Sequence, residues 1–252
     1  MKWIVAKIFL SFMLIFLLIG GSYLIENGNI YTENEVHDLP IYSVDTSEKL
    51  ISISFDVNWA ENDYLNSILK VLEKYNVKAT FFVMGRWVNY NDENLEKLKT
   101  IYEKGNEIGN HSFIHPSFTK ISKERMKEEV QKTDEIVEDI TGEKPKLFRF
   151  PSGDYNKDSC SYMWSLGYKV IQWNVDSVDW KENGADIEYE RVKKKIKPGA
   201  IILFHNNAKY TPDNLDRILK ELSENQYKVV PIGELIYSEN SYIDENGIQH
   251  RK

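Results

Sequence analysis

The spacing of apolar positions changes repeatedly from residue 49 onward. Residues 50–57, "LISISFDV", read as a strand. Residues 62–76, "NDYLNSILKVLEKYN", put Leu65, Ile68, Leu69 and Leu72 on one helical stripe. A strand at 78–85 ("KATFFVMG") follows, then a helix at 94–106 stopped by Gly105, then a short strand at 107–112 ("EIGNHS") that runs into a loop. The spacing predicts a helix over 122–142, with Ser122 as N-cap and Gly142 at its end. Strands at 146–151, 169–175, 200–205 and 227–232 alternate with helices at 157–168, 187–199 and 211–226. Such alternation predicts a parallel sheet with helices outside it. So many units in so short a segment suit a barrel better than an open sheet.

The chain before residue 49 follows another pattern. Lys2 and Lys7 precede an apolar run from Ile8 to Ile19 that continues weakly to Ile25. A membrane span needs about 20 apolar residues and a signal-peptide core about 7–15, and this stretch fits either. It reads as a signal anchor over 1–25, with a cleaved signal peptide as the alternative and a buried helix as a third reading. The positive charge ahead of the run places the remainder outside the cytoplasm. Residues 26–47 are polar and read as a linker, 48–237 as the folded domain, and 238–252 as a tail. His37 and His250 fall in segments expected to be flexible.

Composition narrows the classes. Of 252 residues, 42% are apolar and 13% aromatic, enough for a full core and against disorder. Net charge is −7 and no long basic block is present, so nothing argues for nucleic acid. Cys160, the one cysteine, excludes an intramolecular disulfide and reads as a small buried apolar residue.

The residues able to do chemistry stand just after strands. Asp56 follows "ISISF", His111 follows "EIGN", Arg149 lies in "KLFRFP", Asp176 and Asp179 follow "QWNV", and His205 follows "AIILF". In α/β barrels the loops at the carboxyl ends of the strands form the active site, so these positions are expected to converge. His111 and His115, four apart, can hold one metal ion through two imidazoles, although a pair at this spacing is more often structural. Asp176 reads as structural.

In this order the segments resemble the polysaccharide deacetylase family, the NodB-homology carbohydrate esterases. "SFDVNW" is similar to the family's first motif, T-F-D-D-G. "HSFIH" is similar to H-[ST]-x-x-H, "RFPSG" to R-P-P-Y-G, "DSVDW" to D-x-x-D-W, and "ILFH" to L-x-H. The resemblance spans about residues 48–237 and is greatest to sporulation-type members. It implies a distorted (β/α) barrel with fewer than eight strands, preceded by the N-terminal hydrophobic helix. It implies an enzyme that removes acetyl groups from an N-acetylated cell-wall glycan, peptidoglycan foremost, with a water activated by a divalent metal, zinc or another such as cobalt. His111 and His115 are the implied ligands. Asp56 is the implied base, His205 the acid, Arg149 the partner of Asp56, and Asp179 the partner of His205. Pro151 and Ser152 border the substrate, with a backbone N–H near Ser152 for the oxyanion. Trp180 and Leu203 line an apolar pocket for the acetyl methyl. The resemblance implies a glycan substrate, a membrane contact through the N-terminus, and no protein partner.

The match breaks at one place. The first motif normally carries a second aspartate, the third metal ligand, and here that position is Val57. Catalytic zinc sites usually have three protein ligands, so affinity is expected to fall. Asn58, Asp63 and Asp154 are possible substitutes without support from spacing. The alternative is a catalytically impaired, glycan-binding envelope protein.

Overall fold

The structure is a computed structural model that describes residues 37–59 and 61–252. The strands are β1 (Ser43–Val44), β2 (Leu50–Val57), β3 (Thr80–Val83), β4 (Glu107–Asn110), β5 (Leu147–Phe148), β6 (Lys169–Val170), β7 (Val175–Asp176), β8 (Ile201–His205), β9 (Lys228–Val229), β10 (Ser241–Ile243) and β11 (Ile248–Arg251). The α-helices are α1 (Leu65–Lys74), α2 (Gly85–Val88), α3 (Asp92–Glu103), α4 (Lys123–Thr141), α5 (Lys157–Ser165), α6 (Ala185–Lys193), α7 (Thr211–Glu224) and α8 (Ile232–Leu235).

The main sheet runs β6-β5-β4-β3-β2-β8-β7, and β9 joins the start of β2. Every pairing in it is parallel. The sheet curls toward the (β/α) barrel that the alternation predicts, in the distorted form that the resemblance implies; counting β9 it has eight strands rather than the expected fewer than eight, because the short β9 adds beside the start of β2. Parallel pairing sends all carboxyl ends to one rim. At that rim Asp56 in β2 is in register with His205 in β8.

Side chains alternate along β2, as they must in a strand. Ile51, Ile53, Phe55 and Val57 join the apolar cluster that includes Leu65, Ile68, Leu69 and Leu72 of α1 and Leu215, Ile218, Leu219 and Leu222 of α7. All four predicted stripe residues of α1 are buried, each stabilising by about 1.5–3 kcal/mol on full burial. Ser52, Ser54 and Asp56 face the other way. The serine hydroxyls satisfy themselves on strand carbonyls, Ser52 Oγ donating to Val230 O at 2.7 Å and Ser54 Oγ to Ile202 O at 2.8 Å. Ser122 caps α4 by accepting from Arg125 N, and Gly142 ends it at φ 80°.

Two further expectations change. Residues 169–175 are two strands rather than one. Val170 pairs with Phe148 in β5, whereas Val175 pairs with Ile202 in β8, at the opposite edge of the sheet. The chain between them crosses from one edge to the other, bridging Ile41 through Ile171 and donating from Gln172 N to Ile41 O. One apolar run cannot reveal that its two halves bond to different neighbours.

The segments read as linker and tail are also ordered where described. β1 pairs with β11, and β11 with β10, in a second sheet. Ile41 and Val44 are buried. His250 bonds Asp45 and Asp244 at 3.0 and 3.1 Å, and the His37 ring packs 4.7 Å from Trp164. The β1–β11 pairing and the His250–Asp45 bond join residues 205 apart in sequence, which local periodicity does not register. Among the described residues no helix is long and apolar enough to cross a membrane; the hydrophobic segment 1–25 lies outside them.

Candidate active site

Arg149 follows β5 and is fully buried. Its guanidinium lies 4.0 Å from the Phe82 ring centre and 5.4 Å from that of Trp173. Nη1 donates to Asp56 Oδ1 at 2.9 Å, and Nη2 to Gln172 O at 3.2 Å. Phe82 has room because Gly109 stands opposite it in β4; a Cβ there would meet the ring at 2.5 Å. Burial opposes ionisation of Asp56, but His111, Arg149 and His205 together outweigh it and hold the carboxyl below its ordinary range.

His111 is buried beside Asp56. Its Nδ1 donates to Arg149 O at 2.9 Å, which leaves Nε2 with the lone pair. Nε2 is buried without a hydrogen-bond partner and lies 3.5 Å from Asp56 Oδ2. Burial pushes the His111 pKa down to about 4. The His115 ring is 4.9 Å from that of His111, edge to face, and burial lowers its pKa also. The turn that brings the rings together is strained, with Ser112 at φ 66° and His115 at φ 62°.

That turn is held from α4. Glu129 Oε2 accepts from Phe113 N at 3.0 Å and Ile114 N at 2.8 Å, while Oε1 takes the Arg125 guanidinium. Asn110 Oδ1 accepts from Ser112 N, and Ser112 Oγ from His115 N. Reading the sequence by motif misses Glu129. A signal existed: it lies among Met126, Val130 and Thr133 on the buried stripe of α4, where a carboxylate is out of place.

His205 stands across the rim. Its Nδ1 bonds Asp179 Oδ1 at 2.8 Å, while its backbone N–H and the Thr211 hydroxyl donate to Asp179 Oδ2 at 2.8 and 2.6 Å. Burial works against the imidazolium, but Asp179 prevails and raises the pKa. Glu188, which the motifs also pass over, is buried on α6. It accepts from Asn214 Nδ2, and burial, with Asp179 near, raises its pKa to about 7.

The other sequence candidates lie around this group. Pro151 is buried and Ser152 exposed, with the latter in the left-handed region at φ 55°. Leu203 is buried in β8, two residues before His205. Trp180 is 57% exposed, with the Lys181 ammonium 5.0 Å from its ring centre. Asp176 Oδ1 caps its own turn by accepting from Val178 N.

The donors suit a divalent ion, which needs unprotonated ligands. His111 offers an orphaned Nε2 lone pair fixed by the bond at Nδ1, and His115 stands beside it. Val57 offers nothing and points to the helix layer. Asp63 is bound to Lys97 at 2.9 Å and to Leu65 N, and Asp154 to the hydroxyls of Ser117 and Thr119. Among the described residues no three His, Cys, Asp or Glu side chains already surround one point.

Comparison with known proteins bears on this geometry. The family model for polysaccharide deacetylase matches residues 43–171. The chain is 34% identical over 197 residues to the uncharacterized protein YlxY of Bacillus subtilis, covering 78% of this chain and 60% of YlxY. It is 34% identical over 200 residues to the peptidoglycan-N-acetylmuramic acid deacetylase PdaA of Bacillus subtilis, covering 78% of this chain and 74% of PdaA. The crystal structure of BA3943, a CE4 family pseudoenzyme from Bacillus anthracis, superposes with a TM-score of 0.74 at 35% identity, covering 86% of this chain and 74% of that one. Sequence, fold and the convergence of His111, His115, Asp56, Arg149, Asp179 and His205 agree: the chain belongs to the polysaccharide deacetylase family, hydrolases of carbon–nitrogen bonds other than peptide bonds.

Proposed function

We propose that the chain removes acetyl groups from N-acetylated sugars of peptidoglycan. The observation that carries this reading is the pairing at the rim. Asp56 is locked by Arg149 and His205 by Asp179, in register on adjacent strands at the rim that also carries His111 and His115, whose pKa values burial lowers. Substrate class comes from relatives such as PdaA, named as a peptidoglycan deacetylase.

His111 and His115 hold a divalent ion, zinc or cobalt being suitable. When bound, such an ion polarises the acetamide carbonyl and makes water acidic enough to attack it. Asp56 and His205 are the two groups able to move protons, Asp56 in the base's part that the family resemblance assigns. His205 protonates the leaving amine as the carbon–nitrogen bond breaks. Asp179 keeps Nδ1 protonated and so aims Nε2 at the reacting atoms. Arg149 fixes the Asp56 carboxylate in one orientation. Pro151, Ser152, Trp180 and Leu203 border the sugar and its acetyl group. The charge pattern ahead of the N-terminal apolar run supports an extracytoplasmic, membrane-anchored enzyme, or a secreted one after cleavage.

A second reading has its own observation. Val57 removes the usual third ligand, and the chain resembles a named pseudoenzyme. On that reading the chain binds glycan without hydrolysing it. The full-length protein, stripped of metal, separates the two. We expect acetate release from peptidoglycan when zinc or cobalt is added, and its loss in His111→Ala. Glycan binding with no release under any condition selects the binding protein.

A further inference from the structure

We propose that two cation–aromatic pairs at the rim, Arg86 with Trp59 and Lys181 with Trp180, read carboxylate groups on the glycan. The inference rests on the peptidoglycan reading and sharpens it: the favoured strand is one that carries carboxylates, as sugars of the N-acetylmuramic acid type do and N-acetylglucosamine does not.

Three observations carry it. First, both cations are available. Arg86 and Lys181 are exposed, and among the described residues no carboxylate pairs with either side chain. The chain has 39 acidic residues against 32 basic ones, so the lack of a partner does not reflect a shortage of acids. Second, each cation is held at an aromatic ring. The Arg86 guanidinium lies 5.6 Å from the Trp59 ring centre, and the Lys181 ammonium 5.0 Å from that of Trp180. Such a contact positions the charge and leaves its N–H donors free. Third, the main chain ties both pairs to the site. Asn58 N donates to Asn206 Oδ1 at 2.9 Å and Asn206 Nδ2 to Asn58 O at 3.1 Å, so the loop carrying Trp59 is fastened to the residue after His205. Arg86 N donates to Phe113 O at 3.0 Å, inside the turn between His111 and His115. Trp180 N donates to Asp179 Oδ1 at 3.0 Å.

The sheet order is β3-β2-β8-β7 across this part of the rim. Arg86 follows β3 and Lys181 follows β7, with Asp56 and His205 on the two strands between them. A strand of glycan lying across the rim therefore meets one cation on each side of the reacting acetamide. Exposed aromatic surface suits the apolar faces of its sugars, from Trp180 on one side and from Tyr90, whose ring is 6.4 Å from that of Trp59, on the other. Guanidinium and ammonium groups bind carboxylates through charge-assisted hydrogen bonds, and a neutral N-acetylglucosamine oligomer offers them none. In peptidoglycan the carboxylate has two sources of the same chemistry: the lactyl ether of the sugar where no peptide is attached, and the peptide where one is.

The test is binding rather than activity. Isothermal titration of the metal-free full-length protein compares three probes: N-acetylglucosamine oligomers, peptidoglycan strands stripped of their peptides, and strands that keep them. The variants are Arg86→Gln, Lys181→Gln and the two combined; both side chains are exposed, so the fold should tolerate them. We expect the wild type to bind a carboxylate-bearing strand about 5–10-fold tighter than the neutral oligomer at low salt. That preference should shrink in each single variant, fall within about twofold in the double variant, and weaken with added salt. Tighter binding without peptides assigns the lactyl carboxylate, and tighter binding that needs them assigns the peptide. A preference that survives in the double variant overturns the proposal, as does a wild type that shows no preference or no binding. Acetate release is followed separately with zinc added: its absence beside an intact preference defeats the deacetylase reading and leaves carboxylate recognition standing.

Discussion

Asp56 and Val57 are neighbours in β2, and their side chains leave the strand on opposite faces. Asp56 meets Arg149 at the rim, while Val57 is buried among Ile53, Phe55 and the helices. Restoring an aspartate at 57 therefore places a carboxylate in an apolar layer. We expect Val57→Asp to lose about 3–5 kcal/mol of stability, the cost of an uncompensated buried charge. Urea denaturation measures it. Undiminished stability with tighter metal binding would mean that β2 ends one residue earlier and that position 57 turns into the site.

The metal-free protein should lose stability on acidification through His111. Its folded pKa is about 4 against an ordinary 6.5, so the unfolded chain takes up this proton first. The associated stability is present above pH 6.5, declines as pH falls toward 4, and is on the order of 3 kcal/mol. His205 has the opposite sign. Its pKa is raised, so its contribution is full below 6.5 and is lost as pH rises through the folded value. Thermal melts across pH should show His111→Gln with a flatter acid limb. Asp179→Asn should remove the His205 contribution instead.

Glu129 holds two backbone N–H groups of the strained turn that carries His115. Glu129→Ala removes the acceptor of both N–H groups, at about 1 kcal/mol each, since Phe113 is half-buried and Ile114 exposed. Zinc affinity should fall about 10–100-fold, as for lost supporting contacts generally. Glu129→Gln keeps one acceptor and should recover part of both. Isothermal titration with zinc and a denaturation curve on the same samples check this; a stability loss without any change in affinity removes Glu129 from the site.

Gly109 acts on Asp56 through two side chains. A methyl group there collides with Phe82, on whose ring the Arg149 guanidinium rests. We expect Gly109→Ala to cost about 1–3 kcal/mol through overpacking and to reduce acetate release by moving Arg149 away from Asp56. A crystal structure with the Arg149–Asp56 bond intact would contradict the second effect.

Most of the α/β barrel is legible in the sequence because parallel strands and amphipathic helices bury predictable faces. The stripe Leu65, Ile68, Leu69 and Leu72 is buried as its spacing requires, and Ser122 and Gly142 end α4 where cap chemistry places them. The candidate residues are legible too, since each stands at the carboxyl end of a strand or just beyond it. The split at 169–175 and the small sheet of β1, β10 and β11 are not, because their partners lie far away along the chain.

What the sequence determined by itself was the list of parts: two histidines, Asp56, Arg149, Asp179, His205, and the valine where an aspartate was expected. Only the tertiary structure decided how those parts are spent. Strand alternation sends Val57 to the core. The bond to Arg149 turns Asp56 Oδ2 toward an unpartnered His111 nitrogen. A carboxylate from the middle of α4 holds the histidine turn. These depend on distances between residues up to about 100 positions apart, set by packing across the barrel and not by any local run of the chain.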